Sequence, residues 1–132
     1  MQMSVALLLI THDSIGSSLL ESATNMLGFC PVATEVLSIT RQFDPERDFY
    51  KAEKLCEYID QGDGLLILTD MYGSTPSNIA MQLMQQHASR IVVSGINLSM
   101  LVRVMNYPQL SLAELAIKAE SGAKDGVIVT DK

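Results

Sequence analysis

Two stretches of the chain are apolar without interruption, and both stop at residues that can do chemistry. Val5 through Ile10 end at Thr11-His12, and Leu65 through Leu68 end at Thr69-Asp70. A short apolar run bounded by turn signals reads as a strand buried on both faces. After the first run the spacing becomes helical. Ile15, Leu19, Leu20, Ala23, Met26 and Leu27 recur at the intervals of a helix face, and Gly28 supplies a stop. Asp13 or Ser14 is placed to cap that helix, with Ser18 and Glu21 as a weaker capping box one turn later. Thr34–Ile39, β-branched and alternating, is predicted as a second strand. Asp44-Pro45-Glu46 then announces a helix: a cap residue, proline at the first helical position and an acid near the positive end of the dipole. Phe49, Ala52, Leu55 or Cys56, and Ile59 form its buried stripe, and Gly62 and Gly64 end it.

Past Asp70, Met71-Tyr72-Gly73-Ser74-Thr75-Pro76 reads as a turn running into a helix start, with Ser or Thr as cap and Pro76 in the first turn. Ile79, Ala80, Leu83 and Met84 carry this helix to about His87, whose place near the helix end suits compensation of the dipole. Ile91-Val92-Val93 forms another buried strand ending at Ser94-Gly95. Leu98–Met105 and Leu112–Ala119 are predicted as short helices, and Gly126–Val129 as a short terminal strand. Strands alternating with helices imply βαβ units, a mostly parallel sheet and right-handed crossovers, here as one doubly wound α/β domain over residues 1–132 with helices on both faces. The two most apolar strands, the first and third, belong at the centre in the order 2-1-3-4. That order brings His12 beside Asp70 at the carboxyl ends of the strands, where ligands and chemistry sit in open α/β sheets.

Composition narrows the function classes. The 132 residues are 48% hydrophobic and 18% charged, with a net charge of −6 and nine basic residues that form no run along the chain. Binding to nucleic acid through phosphate neutralisation is therefore disfavoured. No apolar run is long enough for a bilayer, and Met1–Ser4 lack the charged region of an export signal, which predicts a cytoplasmic protein. Cys30 and Cys56 fit neither a zinc knuckle nor a redox pair and are expected as packing or loop thiols. One candidate histidine with scattered carboxylates is no metal ligand set, so neither a metal nor a cofactor is expected.

A histidine that accepts a phosphoryl group or a proton needs one ring nitrogen unprotonated and aimed outward, with a hydrogen bond at the other fixing the tautomer. Asp70, one strand over, can supply that bond and stabilise positive charge on the ring. Gly73-Ser74-Thr75, at a helix amino terminus, offers amides and hydroxyls as a cradle for phosphate. Taken singly, His12 reads as a polar surface residue and Asp70 as a turn cap. Their convergence at two buried strand ends points to function. Met71 and Tyr72 sit on the adjoining loop, where they can pack against a partner protein.

These residues resemble a known family. Ile10-Thr11-His12, Leu65 to Asn78 with its Asp-x-x-Gly-x-(Ser/Thr)-Pro-x-Asn block, and Ser94-Gly95-Ile96-Asn97-Leu98-Ser99-Met100-Leu101 together resemble the mannose-family enzyme IIA domain of the bacterial phosphoenolpyruvate-dependent phosphotransferase system. The similarity runs in order along essentially the whole chain. It implies that His12 takes a phosphoryl group from the carrier protein HPr and passes it to an enzyme IIB, with Asp70 as its carboxylate partner and Ser74-Thr75 on the phosphate side. It also implies a homodimer in which the last strand, Val127–Val129, runs antiparallel and is exchanged between subunits. Asp13, Met71, Tyr72 and Asn97 are the expected partner contacts, and the membrane is reached only indirectly, through a permease. Two positions depart from the family. Glycine commonly follows the histidine where Asp13 stands, and proline is frequent where Ser99 stands. A carboxylate 4 Å from a phosphohistidine would repel it by about 1 kcal/mol in water-like surroundings and about 4 kcal/mol at an effective dielectric of 20. Capping of the first helix by Asp13 is the expected escape.

Other classes fit less well. A phospho-aspartate receiver wants paired acids after the first strand, where this chain has Thr11-His12 and only Asp13. A flavin or nucleotide module wants a hydroxyl- or glycine-rich loop there, and a serine hydrolase wants a nucleophile elbow that is absent from the sequence. Two readings stay open beside sugar uptake: a purely regulatory phosphotransfer protein, and a partner-binding dimer without chemistry.

Overall fold

A computed structural model describes residues 4–132, so Met1–Met3, part of the segment read for an export signal, lie outside it. Its elements are β1 (Ala6–His12), α1 (Ile15–Leu27), β2 (Thr34–Ile39), α2 (Pro45–Ile59), β3 (Leu65–Thr69), α3 (Thr75–Gln86), β4 (Arg90–Ser94), α4 (Leu98–Met105) and α5 (Leu112–Asp125). The four strands form one parallel sheet in the order β2-β1-β3-β4, as the hydrophobic pattern predicts.

Strand periodicity divides the core into two layers. Leu7, Leu9, Leu66 and Leu68 pack with Ala23 of α1, Met100, Leu101 and Val104 of α4, and Leu115 and Ala119 of α5. The alternate residues Ala6, Leu8, Ile10, Leu65 and Ile67 face Ala52, Cys56 and Ile59 of α2 and Ile79, Ala80 and Leu83 of α3. With helices on both sides, every residue of β1 before His12 is buried, which is why that strand carries no polar alternation. Asp44 caps α2 as predicted, its Oδ1 accepting the Arg47 N–H at 3.0 Å, and Pro45 opens the helix. Cys30 is exposed, Cys56 is buried, and both are free.

The register aims the strand ends. His12 stands opposite Ile39 on β2, and Thr69 stands opposite Ile10 on β3, so Asp70 leaves β3 one step short of the level of His12. The central strands thus deliver an imidazole and a carboxylate to one edge of the sheet.

One predicted element is absent among the described residues. Gly126–Val129 is not a strand, and nothing pairs with the outer edge of β4. α5 runs instead to Asp125, six residues beyond the predicted end at Ala119. Gly122 permits this: a β-carbon there would stand 2.7 Å from Arg103 Cβ, so only glycine lets α5 lie that close to α4. Beyond α5, Val127, Ile128 and Val129 are 74%, 76% and 93% exposed. With no neighbouring strand to pair with, these residues form no ladder.

Candidate functional site

β1 ends on His12, and the chain turns at once. Asp13 adopts a left-handed conformation (φ 45°), and its N–H donates to the Ile39 carbonyl at 3.0 Å. The expected cap is not there. Ser14 holds the N-cap position without a side-chain bond, and the Asp13 carboxylate makes no cap bond, because Thr11 has taken that task. Its buried Oγ1 accepts the Gly16 N–H at 2.8 Å, satisfying an amide that the helix itself leaves orphaned. A β-carbon at Gly16 would lie 2.8 Å from that oxygen and 3.1 Å from Val36, so glycine is what lets α1 sit down on β1 and β2. The Ser18–Glu21 capping box does not form, since α1 has already begun at Ile15. Asp13 is consequently left exposed on the rim beside His12.

His12 is clasped by Asp70 through one oxygen. The His12 backbone N–H donates to Asp70 Oδ2 at 3.0 Å, and ring Nδ1 lies 2.8 Å from the same atom. The other oxygen, Oδ1, accepts the Met71 N–H at 3.1 Å. Burial pushes the Asp70 carboxyl up, but the His12 amide and ring, with a further backbone N–H, outweigh it and hold the group below its ordinary range. A carboxylate only accepts, so Nδ1 carries the proton and the lone pair of the neutral ring falls on Nε2. The Asp70 side chain is 11% exposed and the His12 side chain 37%. The clasp is sheltered and the ring reaches solvent.

Around the ring lies a groove of about 230 Å³ lined by His12, Asp13, Ile39, Thr40, Arg41, Phe43 and Thr75. Of the predicted cradle, Thr75 lines it. Gly73 forms the turn in a left-handed conformation (φ 83°), and the Ser74 hydroxyl donates to the Met71 carbonyl at 2.6 Å. Ser74 makes no side-chain cap, so the first-turn amides of α3 keep their capacity for an anion. Met71 and Tyr72 stand exposed on the loop between Asp70 and α3. Asn97 lies in the loop after β4, where its Oδ1 accepts the Met100 N–H at 2.8 Å and its Nδ2 donates to the Ala123 carbonyl at 3.2 Å, tying α4 to α5. Among the described residues no three His, Cys, Asp or Glu side chains converge as a metal site.

The sequence from residue 6 to residue 121 matches the family described as the phosphotransferase system (PTS) fructose IIA component, EIIA-man. The chain belongs to this family. It is a IIA component of the mannose family of the phosphotransferase system, which implies phosphotransfer in sugar uptake. Similar solved structures share the fold. The mannose/sorbose-specific IIA subunit from Enterococcus faecalis is 24% identical with a TM-score of 0.85, over 100% of this chain and 97% of that one. Component EIIA from Streptococcus agalactiae is 19% identical with a TM-score of 0.84, covering 95% and 96% of the two chains. The IIA protein associated with the fucose utilization operon of Streptococcus pneumoniae is 18% identical with a TM-score of 0.81, covering 97% and 94%. No match was found among curated protein sequences. No helix of this IIA chain, among the described residues, is long and apolar enough to cross a membrane.

Among the residues of the site that sequence reasoning missed are Thr11, Gly16 and Arg41. Thr11 and Gly16 act as a pair across the strand–helix turn, signalled only by a threonine at the strand end and a glycine in the first helical turn. Arg41 carried no signal, because only the sheet brings the end of β2 beside the end of β1.

Proposed function

We propose that His12 is the phosphoryl carrier of this IIA component, receiving the group from phospho-HPr and passing it to an enzyme IIB. The observation that carries this is the 2.8 Å contact between His12 Nδ1 and a carboxylate held ionised, which leaves Nε2 as the nucleophile at the mouth of an open groove. In the forward step the Nε2 lone pair attacks the phosphorus of the donor's phosphohistidine. The new Nε2–P bond forms as the donor's N–P bond breaks, and that electron pair returns to the donor's ring nitrogen. The His12 ring becomes cationic, and Asp70 stabilises it through Nδ1–H without taking part in a bond change. Gly73, Ser74 and Thr75 form the phosphate side, with α3's amino terminus adding its positive dipole end. Met71, Tyr72 and Asp13 form the contact rim for HPr and IIB, and Asn97 contributes by fixing the loop after β4.

The assembly we propose is a homodimer in which Val127–Val129 of each subunit pairs antiparallel with β4 of the other. Three exposed β-branched residues and an unpaired strand edge in the same chain support it. A receiver-type role for Asp70 is disfavoured because both of its oxygens are engaged, one by His12 and one by the Met71 amide.

Incubation with enzyme I, HPr and phosphoenolpyruvate, with and without candidate IIB proteins and sugars, tests the assignment. Labelling that moves on to IIB supports the carrier role. Sugar phosphorylation then selects transport over regulation, and no labelling refutes the proposal.

A further inference from the structure

The carrier assignment leaves a charge problem at His12. A phosphoryl group on Nε2 adds negative charge to a groove already walled by Asp13 and clasped by Asp70. Of the seven residues that line the groove, Arg41 alone is a permanent cation. It is exposed, and among the described residues it forms no ion pair. Its backbone is held from several directions. Two residues earlier, the Ile39 carbonyl accepts the Asp13 N–H, fixing the end of β2 to the residue after His12. The turn itself is closed by Gln42 N–H to Thr40 Oγ1 at 3.3 Å and by Phe43 N–H to the Thr40 carbonyl at 3.1 Å. Arg47 Nη2 anchors the Gln42 carbonyl at 2.6 Å. Arg41 is thus a long, unpaired cation on a braced turn, one strand over from the phosphoryl acceptor.

We propose that Arg41 binds the phosphoryl oxygens of phospho-His12, supplying from within this chain the cation that Asp13 makes necessary. The fork of guanidinium N–H groups matches phosphate oxygens and keeps its charge at any working pH. Arg41 makes and breaks no covalent bond. Its donors close on the oxygens as the Nε2–P bond forms and release them as that bond breaks toward the acceptor. Being specific to the phosphorylated state, the contact raises the share of phosphoryl groups held by this protein and slows their loss to water. The inference rests on His12 as the carrier, and its test separates the two claims.

Wild type, Arg41→Ala, Arg41→Lys and Lys54→Ala are phosphorylated in two ways: by enzyme I, HPr and phosphoenolpyruvate, and by phosphoramidate, a small donor that needs no partner. Lys54→Ala removes an equal charge on α2, outside the groove. The readouts are the partition of label between HPr and this protein, the hydrolytic half-life of the phosphohistidine, and the dependence of both on salt. A charge-assisted contact at an exposed site predicts about a tenfold shift of the partition toward HPr in Arg41→Ala at low salt, partial rescue in Arg41→Lys, and no shift in Lys54→Ala. The half-life should fall in parallel with either donor, and the difference should shrink as salt screens the pair. Arg41→Ala matching wild type in partition and half-life at low salt overturns the role of Arg41 with His12 still labelled. Absence of label on His12 from both donors overturns the carrier assignment and this inference with it. Label from phosphoramidate alone overturns the HPr partnership and leaves the half-life to judge Arg41.

Discussion

Replacing Asp70 with asparagine removes one negative charge at nearly constant shape, and the geometry of the clasp sets the consequence. Oδ2 accepts two donors, the His12 amide at 3.0 Å and Nδ1 at 2.8 Å, while Oδ1 accepts the Met71 amide at 3.1 Å. An asparagine oxygen can serve one side only. If it faces His12, the amide NH2 opposes the Met71 N–H. If it faces Met71, the NH2 opposes the His12 amide and favours the tautomer with its proton on Nε2, which is the wrong one for attack. Hydrogen bonds to charged groups contribute about 1.5–3 kcal/mol. The ring is 37% exposed, so solvent screening discounts this to about 1.4–2 kcal/mol at the transition state. Phosphoryl acceptance should therefore slow about 10- to 30-fold. Rapid-quench transfer from labelled phospho-HPr measures it, with circular dichroism confirming that the fold persists. The pH dependence has a fixed sign. Since the folded Asp70 carboxyl lies below its ordinary value of 3.8, its contribution to stability is complete above that value and is lost as pH falls further through the folded one. Acid titration of wild type against Asp70→Asn should show the two stabilities converging below about pH 4. A wild-type transfer rate in Asp70→Asn would refute the role given to this carboxylate.

Gly16→Ala should destabilise the fold by about 1–3 kcal/mol, because the new β-carbon would meet the Thr11 hydroxyl at 2.8 Å against a packed Val36. A denaturant midpoint equal to wild type would show that the strand–helix junction has slack. Asp13→Gly removes both a left-handed non-glycine residue and a charge on the groove rim. Stability should change by less than about 1 kcal/mol, while the phosphorylated fraction at equilibrium with HPr should rise about two- to fivefold; a fall would contradict the repulsion ascribed to Asp13. Ending the chain after Gly126 should convert a dimer to a monomer in light scattering. A full-length monomer, or a dimer that survives the truncation, would overturn the exchange of Val127–Val129.

The layered fold and the pairing of His12 with Asp70 were legible because burial on both faces leaves β1 and β3 no polar position until they end. Two uninterrupted runs of that kind fix which strands are central, and their register follows from the two core layers. What escaped was tertiary. Thr11 caps α1 from the strand, whereas the customary cap positions hold Ser14, whose side chain is unbonded, and Asp13, which the left-handed turn moves aside. The continuation of α5 to Asp125 depends on Gly122 meeting α4, and glycine within a helix reads locally as a stop. Val127–Val129 has the composition of a strand but joins no strand of the sheet, and composition alone does not supply a ladder. Arg41 becomes visible only when the end of β2 is set beside that of β1.

The most direct measurement is the location of the phosphoryl group after incubation with enzyme I, HPr and phosphoenolpyruvate. Phosphorus NMR with peptide mapping is predicted to place it on Nε2 of His12, stable in alkali, lost in acid and absent in His12→Ala. An alkali-labile label on Asp70, or any label that persists in His12→Ala, would contradict the account.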